Sequence, residues 1–215
     1  MTLNYKTKDA KSGTAKSLVI FLHGYGADGA DLLGLADPMG DHLPDTVFVA
    51  PDAPEPCRMN PMGYQWFPVP WIDGSTPVEM GASLEKSRDL LRAFFDHIAT
   101  ETGIAPEKTA LIGFSQGTML SLDMGPMQDP SFAGIVGFSG RLMEVERLQS
   151  AKSYPPIQLI HGDQDEMVAY SEMAKAEAAL KEAGFDVESY TSNGVGHGIA
   201  PDGLSIALQR LLDWL

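Results

Sequence analysis

Apolar and polar positions divide the chain into short strand-like runs and longer segments with helical spacing. Six short runs, rich in β-branched and aromatic residues, predict strands at 18–22, 47–50, 109–114, 132–138, 157–160 and 187–191. Most of these runs are continuously apolar rather than alternating, as expected for strands that are buried on both faces of a parallel sheet.

Helical spacing separates these runs. Apolar residues recur at helical intervals in four segments, 79–101, 116–124, 171–183 and 204–215. Ser171 is the expected N-cap of the third helix, and Gly184 is expected to end it. Alternating strands and helices predict an α/β fold, with a mostly parallel central sheet and helices on both faces. Because the chain has 215 residues and no internal repeat, we expect one domain spanning 1–215.

One segment lacks any periodic pattern. Residues 51–77 hold seven of the fifteen prolines together with several aromatic residues, including Trp66, Phe67 and Trp71. Irregular segments of this length inside a compact domain are usually functional or disordered, and the aromatic content argues against disorder. Two interpretations follow: a loop that buries its own aromatics, or a wall of a substrate pocket. We favour the pocket wall.

Composition narrows the function classes. The chain has 29 acidic and 15 basic residues and a net charge of −14, which disfavours binding to nucleic acid and stable association with anionic membranes. Cys57 is the only cysteine, so the chain contains no internal disulfide. The polar N-terminal segment and the short apolar runs predict neither a signal peptide nor a membrane span, and we therefore expect a cytoplasmic protein.

Ser115 is the candidate nucleophile. It lies in Gly113-Phe114-Ser115-Gln116-Gly117, between a predicted strand and a predicted helix. In a sharp turn between such elements the serine hydroxyl projects above the sheet edge, and only small residues fit two positions before and after it. The peptide N–H of Gln116, at the start of the helix, is a candidate oxyanion donor. Ser139, in Gly137-Phe138-Ser139-Gly140, is a rival that lacks the second glycine, and we interpret it as structural.

Chain order selects the base and the acid. With a nucleophile of this kind the acid and then the histidine follow the serine, and His197 in a glycine-rich loop is the histidine that follows the acidic cluster. Asp163, Asp165 and Glu166 all follow the 157–160 strand and compete for the role of the acid. We favour Asp165 because it reaches farther into the loop, and we expect Asp163 to stabilise the turn through its own backbone. His161 is expected to pack or to bond within the loop.

The glycines after the first predicted strand have two interpretations. In His23-Gly24-Tyr25-Gly26, glycine lets the backbone approach a developing negative charge, so the peptide N–H of Tyr25 is a second candidate oxyanion donor and His23 organises the loop. Gly24, Gly26 and Gly29 also match a dinucleotide-binding pattern, with Asp52 as the acidic residue. That reading leaves Ser115 and His197 unexplained, and we favour the oxyanion loop. The scattered histidines predict no metal site.

These motifs together resemble those of the phospholipase/carboxylesterase family, which includes acyl-protein thioesterases and small bacterial carboxylesterases. The resemblance rests on four segments, which are 21–26, 113–117, 161–165 and 196–197. It implies a compact α/β-hydrolase without a large lid domain, a triad of Ser115, Asp165 and His197, and oxyanion donors at Tyr25 and Gln116. Residues 65–67 resemble the family's aromatic motif beside the active site, and residues 68–71 suggest the bacterial carboxylesterase branch.

The resemblance implies hydrolysis of carboxylic esters, with thioesters and lysophospholipids as further substrate classes. It implies no cofactor. Trp66, Phe67 and Trp71 are expected to line the substrate pocket. Two alternatives stay open: a non-catalytic binding module with the same fold, and an acyltransferase in which an alcohol replaces water. The sequence is compatible with a monomer or a homodimer.

Overall fold

The central sheet has seven strands. The computed structural model describes residues 2–215. Within them the sheet order is β1-β3-β2-β6-β7-β8-β9, and β1 pairs antiparallel to β3 while every other pair is parallel. The strands are β1 (Tyr5–Lys8), β2 (Ser17–Leu22), β3 (Thr46–Pro51), β6 (Thr109–Phe114), β7 (Gly134–Phe138), β8 (Ile157–Gly162) and β9 (Val187–Ser192). Two further short strands, β4 (Glu55–Pro56) and β5 (Tyr64–Gln65), form a separate hairpin.

Helices cover both faces of the sheet. They are α1 (Gly29–Leu33), α2 (Ala36–Gly40), α3 (Pro70–Asp73), α4 (Pro77–Thr102), α5 (Gln116–Met124), α6 (Ser171–Glu182) and α7 (Pro201–Trp214). One apolar cluster joins α4, α5 and α6 to the sheet, and a second joins α1, α2 and α7 to its opposite face. Successive residues of β2 alternate between the two clusters, so a continuously apolar run is buried on both sides. The predicted α/β fold class is confirmed.

Element ends follow local chemistry. Thr76 and Glu79 form a capping box at the start of α4: Thr76 Oγ1 accepts from the Glu79 N–H, and Glu79 Oε2 accepts from the Thr76 N–H. Gly184 has a φ of +95° just after α6, as expected for a glycine that ends a helix. The expected N-cap was wrong, because Ser171 is the first residue of α6 and Tyr170 precedes it without a side-chain cap.

The segment 51–77 is ordered by packing on the sheet edge. It contains the β4–β5 hairpin and the short helix α3. The Gly26 N–H donates to the Tyr64 carbonyl at 2.8 Å, which ties this segment to the loop after β2. A Cβ on Gly63 would lie 2.0 Å from the Gly26 carbonyl oxygen, so glycine is required at that close approach. The segment therefore lies beside the carboxyl ends of the parallel strands.

No helix within residues 2–215 combines the length and apolar character needed to cross a membrane.

Candidate active site

Ser115 occupies a strained turn between β6 and α5. Its φ is +54° and its ψ is −114°, a conformation that L-residues rarely adopt. The turn is held by close packing of its glycines: a Cβ on Gly117 would lie 1.7 Å from the Leu22 carbonyl oxygen, and one on Gly113 would lie 2.4 Å from the Thr118 nitrogen. The sequence pattern is thus explained by sterics, because no side chain fits at either flanking position.

Asp165 and His197 form a buried pair at the same edge of the sheet. His197 Nδ1 donates to Asp165 Oδ2 at 2.8 Å, and the Asp165 side chain is completely buried. Asp165 Oδ1 accepts from the backbone N–H groups of Met167 and Val168, each at 2.9 Å. Burial by itself raises the pKa of Asp165, but the hydrogen bonds from His197 and from the two amides outweigh it, and the pKa lies below its ordinary value. The carboxylate is therefore ionised and fixes the proton of His197 on Nδ1.

Two residues close to Asp165 in the chain, His161 in β8 and Asp163 in the loop that follows it, have separate contacts. Asp163 Oδ1 accepts from the Gly194 N–H at 2.6 Å, so it ties its loop to the loop before His197. This corrects the expectation that Asp163 stabilises its own turn. His161 Nε2 lies 2.9 Å from the Val168 carbonyl oxygen and 3.1 Å from Asp165 Oδ2, and it bonds within the loop as expected.

Ser115 and His197 line one cavity of about 160 Å³. The His197 ring packs against Phe114, with ring centroids 4.9 Å apart. In the part of the chain that the structure describes, Ser115 Oγ and His197 form no hydrogen bond. In a neutral imidazole whose Nδ1–H donates to Asp165, Nε2 carries the lone pair and can accept a proton. The hydrogen bond between a nucleophile and its base commonly tightens only when substrate binds.

Both candidate oxyanion residues also line this cavity. Tyr25 lies in the loop after β2, and Gln116 is the first residue of α5. The N-terminal amides of a helix have no acceptor within the helix, so the Gln116 N–H is available to a ligand. The Tyr25 hydroxyl donates to Asp73 Oδ2 at 3.0 Å, which fixes the loop against α3. Burial, followed by contacts with Cys57 and Asp73, raises the pKa of Tyr25 well above its usual value, so the hydroxyl keeps its proton.

His23 organises the oxyanion loop. Its Nδ1 donates to the Gly24 carbonyl at 2.8 Å, and its Nε2 accepts from the Ala53 N–H at 3.0 Å. Burial lowers the pKa of His23, so the ring is neutral and can hold both contacts. Asp52 is the acidic residue of the dinucleotide alternative. Its Oδ1 accepts from the Gly29 N–H at 2.9 Å, so Asp52 binds the first residue of α1.

The three expected pocket residues divide into two groups. Phe67 and Trp71 line the cavity, and Trp71 is 66% exposed at its rim. Trp66 does not line the cavity. It is fully buried, its Nε1 donates to the His23 carbonyl at 2.9 Å, and its ring lies 5.4 Å from the His23 ring. The expectation that Trp66 forms the pocket is therefore corrected: Trp66 supports the oxyanion loop from behind.

Gln116 has a second use that the sequence did not suggest. Its side-chain Oε1 accepts from the Trp66 N–H at 3.2 Å, and its Nε2 donates to the Phe67 carbonyl at 2.7 Å. These bonds fix the 51–77 segment on the start of α5 and set the position of Phe67.

Sequence reasoning missed several cavity residues. They are Val69, Ile72, Met119, Arg141, Met167 and Val168. Arg141 had an available signal, since it lies shortly after the predicted strand 132–138, whose carboxyl end is at the same sheet edge as Ser115. Ser139 has a φ of +48° and a buried Oγ, and it is not among the residues that line the cavity. Within residues 2–215, no three His, Cys, Asp or Glu side chains are grouped as metal ligands would be.

A mostly parallel sheet with a serine in a strand-turn-helix at its carboxyl edge defines an α/β-hydrolase. Residues 4–215 match the model of the Phospholipase/Carboxylesterase family, and the chain belongs to that family. The resemblance seen in its motifs is thus confirmed.

Relatives and solved structures agree with this family. The chain is 27% identical over 197 residues to "Esterase YpfH" of Escherichia coli, covering 92% of this chain and 82% of that protein. It is 27% identical over 201 residues to "Acyl-protein thioesterase 1" of Gibberella zeae, covering 86% and 85%. Among solved structures, esterase PE8 is 40% identical with a TM-score of 0.94, covering all of both chains. The chain is a carboxylic ester hydrolase by class.

Proposed function

We propose that the chain is a serine carboxylesterase in which Ser115 is the nucleophile, His197 the general base and Asp165 the acid that orients it. The observation that supports this most strongly is the shared cavity. A serine on a strained turn faces the same cavity as a histidine whose Nδ1 lies 2.8 Å from a buried, ionised carboxylate. This combination of nucleophile, base and orienting group is the constellation that acyl transfer requires.

Acylation is the first step. His197 Nε2 removes the proton of Ser115 Oγ as Oγ forms a bond to the ester carbonyl carbon. The carbonyl oxygen becomes an oxyanion, which the backbone N–H groups of Tyr25 and Gln116 stabilise; each such donor typically contributes about 3 kcal/mol. The intermediate then expels the alcohol, which takes its proton from His197, and leaves the acyl group on Ser115.

Deacylation repeats the same proton transfers with water. His197 removes a proton from water as the water oxygen attacks the acyl carbonyl carbon. Collapse of the second tetrahedral intermediate breaks the bond to Ser115 Oγ, which recovers its proton from His197, and the carboxylic acid leaves. Asp165 stays ionised throughout and stabilises the imidazolium that forms twice. A thioester follows the same steps with a thiol as the leaving group, and relatives named as thioesterases support it as a second substrate class.

The cavity favours short acyl chains. It measures about 160 Å³ and is bounded by bulky side chains such as Phe67, Phe114 and Met119. In a series of p-nitrophenyl esters from acetate to palmitate, we expect kcat/KM to be highest for short chains and to fall with length. Release of p-nitrophenolate measures this. Protein carrying Ser115→Ala, purified in parallel, controls for contaminating esterases.

The same series tests the alternatives. Activity that is equal in wild type and Ser115→Ala would contradict the assignment of the nucleophile. No activity with any ester or with acyl thioesters would favour a non-catalytic module. If added alcohol diverts most of the acyl group to a new ester, the enzyme is an acyltransferase. Chromatography of the products separates transfer from hydrolysis.

A further inference from the structure

Arg141 places a positive charge in the wall of the active-site cavity. It follows the end of β7, the strand next to the one that leads to Ser115, and it lines the cavity together with Ser115 and His197. Its Cζ lies 5.3 Å from the centroid of the Trp71 ring. This distance is within the range of a cation–π contact, so Trp71 holds the guanidinium at the cavity rim.

Among the residues that the structure describes, the Arg141 guanidinium has no anionic partner. Arg141 forms no ion pair with any carboxylate of residues 2–215, and its buried Nε has no hydrogen-bond acceptor there. The other arginines all contact a carboxylate; they are Arg58, Arg88, Arg92, Arg147 and Arg210. Since the chain carries 29 acidic residues, Arg141 differs from the other arginines in contacting no carboxylate of the described residues.

Asp165 and Asp73 form hydrogen bonds with residues of the cavity wall and not with Arg141. Asp165 accepts from His197 and from two backbone amides. Burial alone would raise the pKa of Asp73, but hydrogen bonds from Ser75, from the Val69 N–H and from the Tyr25 hydroxyl outweigh it and lower the pKa to about 2. Within residues 2–215, the side chains that line the cavity include no Asp or Glu. Arg141 is therefore left with donors that no protein group uses, and the burial of its Nε without an acceptor is costly unless a bound anion supplies one.

We propose that the substrate carries an anionic oxygen group, a carboxylate or a phosphate, which pairs with Arg141 while the ester carbonyl lies at Ser115. This rests on the proposed function and narrows its substrate class to negatively charged esters. Arginine is suited to this task because its planar fork of donors matches two oxygens of a carboxylate or phosphate. The net charge of −14 makes a specific cation necessary for such a substrate, since the rest of the surface repels it.

Matched esters test the charge preference. The esters 4-acetoxybenzoate and 4-acetoxybenzamide share the acetyl group and the ring and differ in the negative charge. A third ester, 4-acetoxyphenyl phosphate, carries a phosphate in place of the carboxylate. We expect Arg141→Met to lower kcat/KM for the anionic esters about tenfold or more, the effect of losing a charge-assisted hydrogen-bond pair. The amide ester should change less than about threefold. Arg141→Lys should recover part of the loss. The anionic ester whose kcat/KM falls further in Arg141→Met carries the preferred anionic group.

A surface arginine provides the matched control. Arg92→Met removes the same charge from an exposed pair with Asp89 and should leave the ratio of the two rates unchanged. An equal fall for charged and neutral esters in Arg141→Met would overturn the proposal, because it would mean that Arg141 only positions Trp71. Unchanged rates in that variant would overturn it too.

Binding of a stable analogue separates this proposal from the proposed function. Calorimetry with 4-acetamidobenzoate, which an esterase does not cleave readily, should show binding to wild type and at least tenfold weaker binding to Arg141→Met. Equal binding by both proteins would contradict the anion site. If wild type cleaves none of the esters or thioesters, the proposed function fails, and this binding measurement still decides whether Arg141 holds an anion.

Discussion

Replacing Asp165 by Asn is expected to lower kcat about ten-thousandfold while the protein stays folded. The asparagine amide would donate to His197 Nδ1 in place of accepting from it. The imidazole proton would then lie on Nε2, and His197 could no longer remove the proton of Ser115. A loss of this size corresponds to about 5.4 kcal/mol of transition-state stabilisation. Steady-state hydrolysis of p-nitrophenyl acetate measures it.

Asp163→Asn is the matched control for this prediction. Both aspartates lie in the loop after β8, but Asp163 accepts only from the Gly194 N–H, and an asparagine Oδ1 can accept the same bond. We expect kcat to change by no more than about threefold, as is usual for substitutions outside the reacting groups. The opposite ranking, with Asp163→Asn the more damaging, would identify Asp163 as the acid and show that the choice of Asp165 is wrong.

Replacing Gly117 by Ala is expected to destabilise the fold by about 3 kcal/mol or more, the upper end of the cost of overpacking. The added Cβ would lie 1.7 Å from the Leu22 carbonyl oxygen and 3.0 Å from that of His23, so it would force α5 away from the oxyanion loop. Since a misplacement of about 1 Å can cost 100-fold in rate, we expect at least that loss of kcat/KM in the folded fraction. Urea unfolding and ester hydrolysis measure the two effects.

Gly81→Ala controls for the substitution itself. Gly81 lies within α4, and a Cβ there would meet no atom within 4 Å. Alanine favours a helix over glycine, so we expect the free energy of unfolding to rise by up to about 1 kcal/mol with unchanged activity. If both glycine variants behaved alike, close packing at Gly117 would not be what holds the turn.

The sequence predicts the part of the fold in which local pattern and burial agree. The strand, turn and helix around Ser115 have the expected limits, because a continuously apolar run changes there into helical spacing across two glycines. The strand β1 was not predicted, since Tyr5–Lys8 is polar and lies at the sheet edge, where lysines are common and no apolar run is needed. Edge strands carry little of the pattern that reveals buried ones.

The sequence predicts some residues of the site correctly and misplaces or misses others. Chain order is enough to bring Asp165 and His197 to one sheet edge, because both follow strands of a parallel sheet. Composition cannot tell which aromatic of an irregular loop faces the core, and so Trp66 was assigned to the pocket while its ring supports His23. Arg141 was missed for a related reason. Its place in the cavity depends on Trp71, which is 70 positions away in the chain.

Covalent labelling of Ser115 tests the central claim most directly. A serine-directed organophosphate, such as diethyl p-nitrophenyl phosphate, phosphorylates an activated serine and releases p-nitrophenolate. We expect one phosphoryl group per chain by intact mass, located on Ser115 by peptide mapping. Ser115→Ala should stay unlabelled, and Ser139→Ala, which alters the rival serine, should be labelled like wild type. An adduct on Ser139 or any other residue, or equal labelling of Ser115→Ala, would contradict the account.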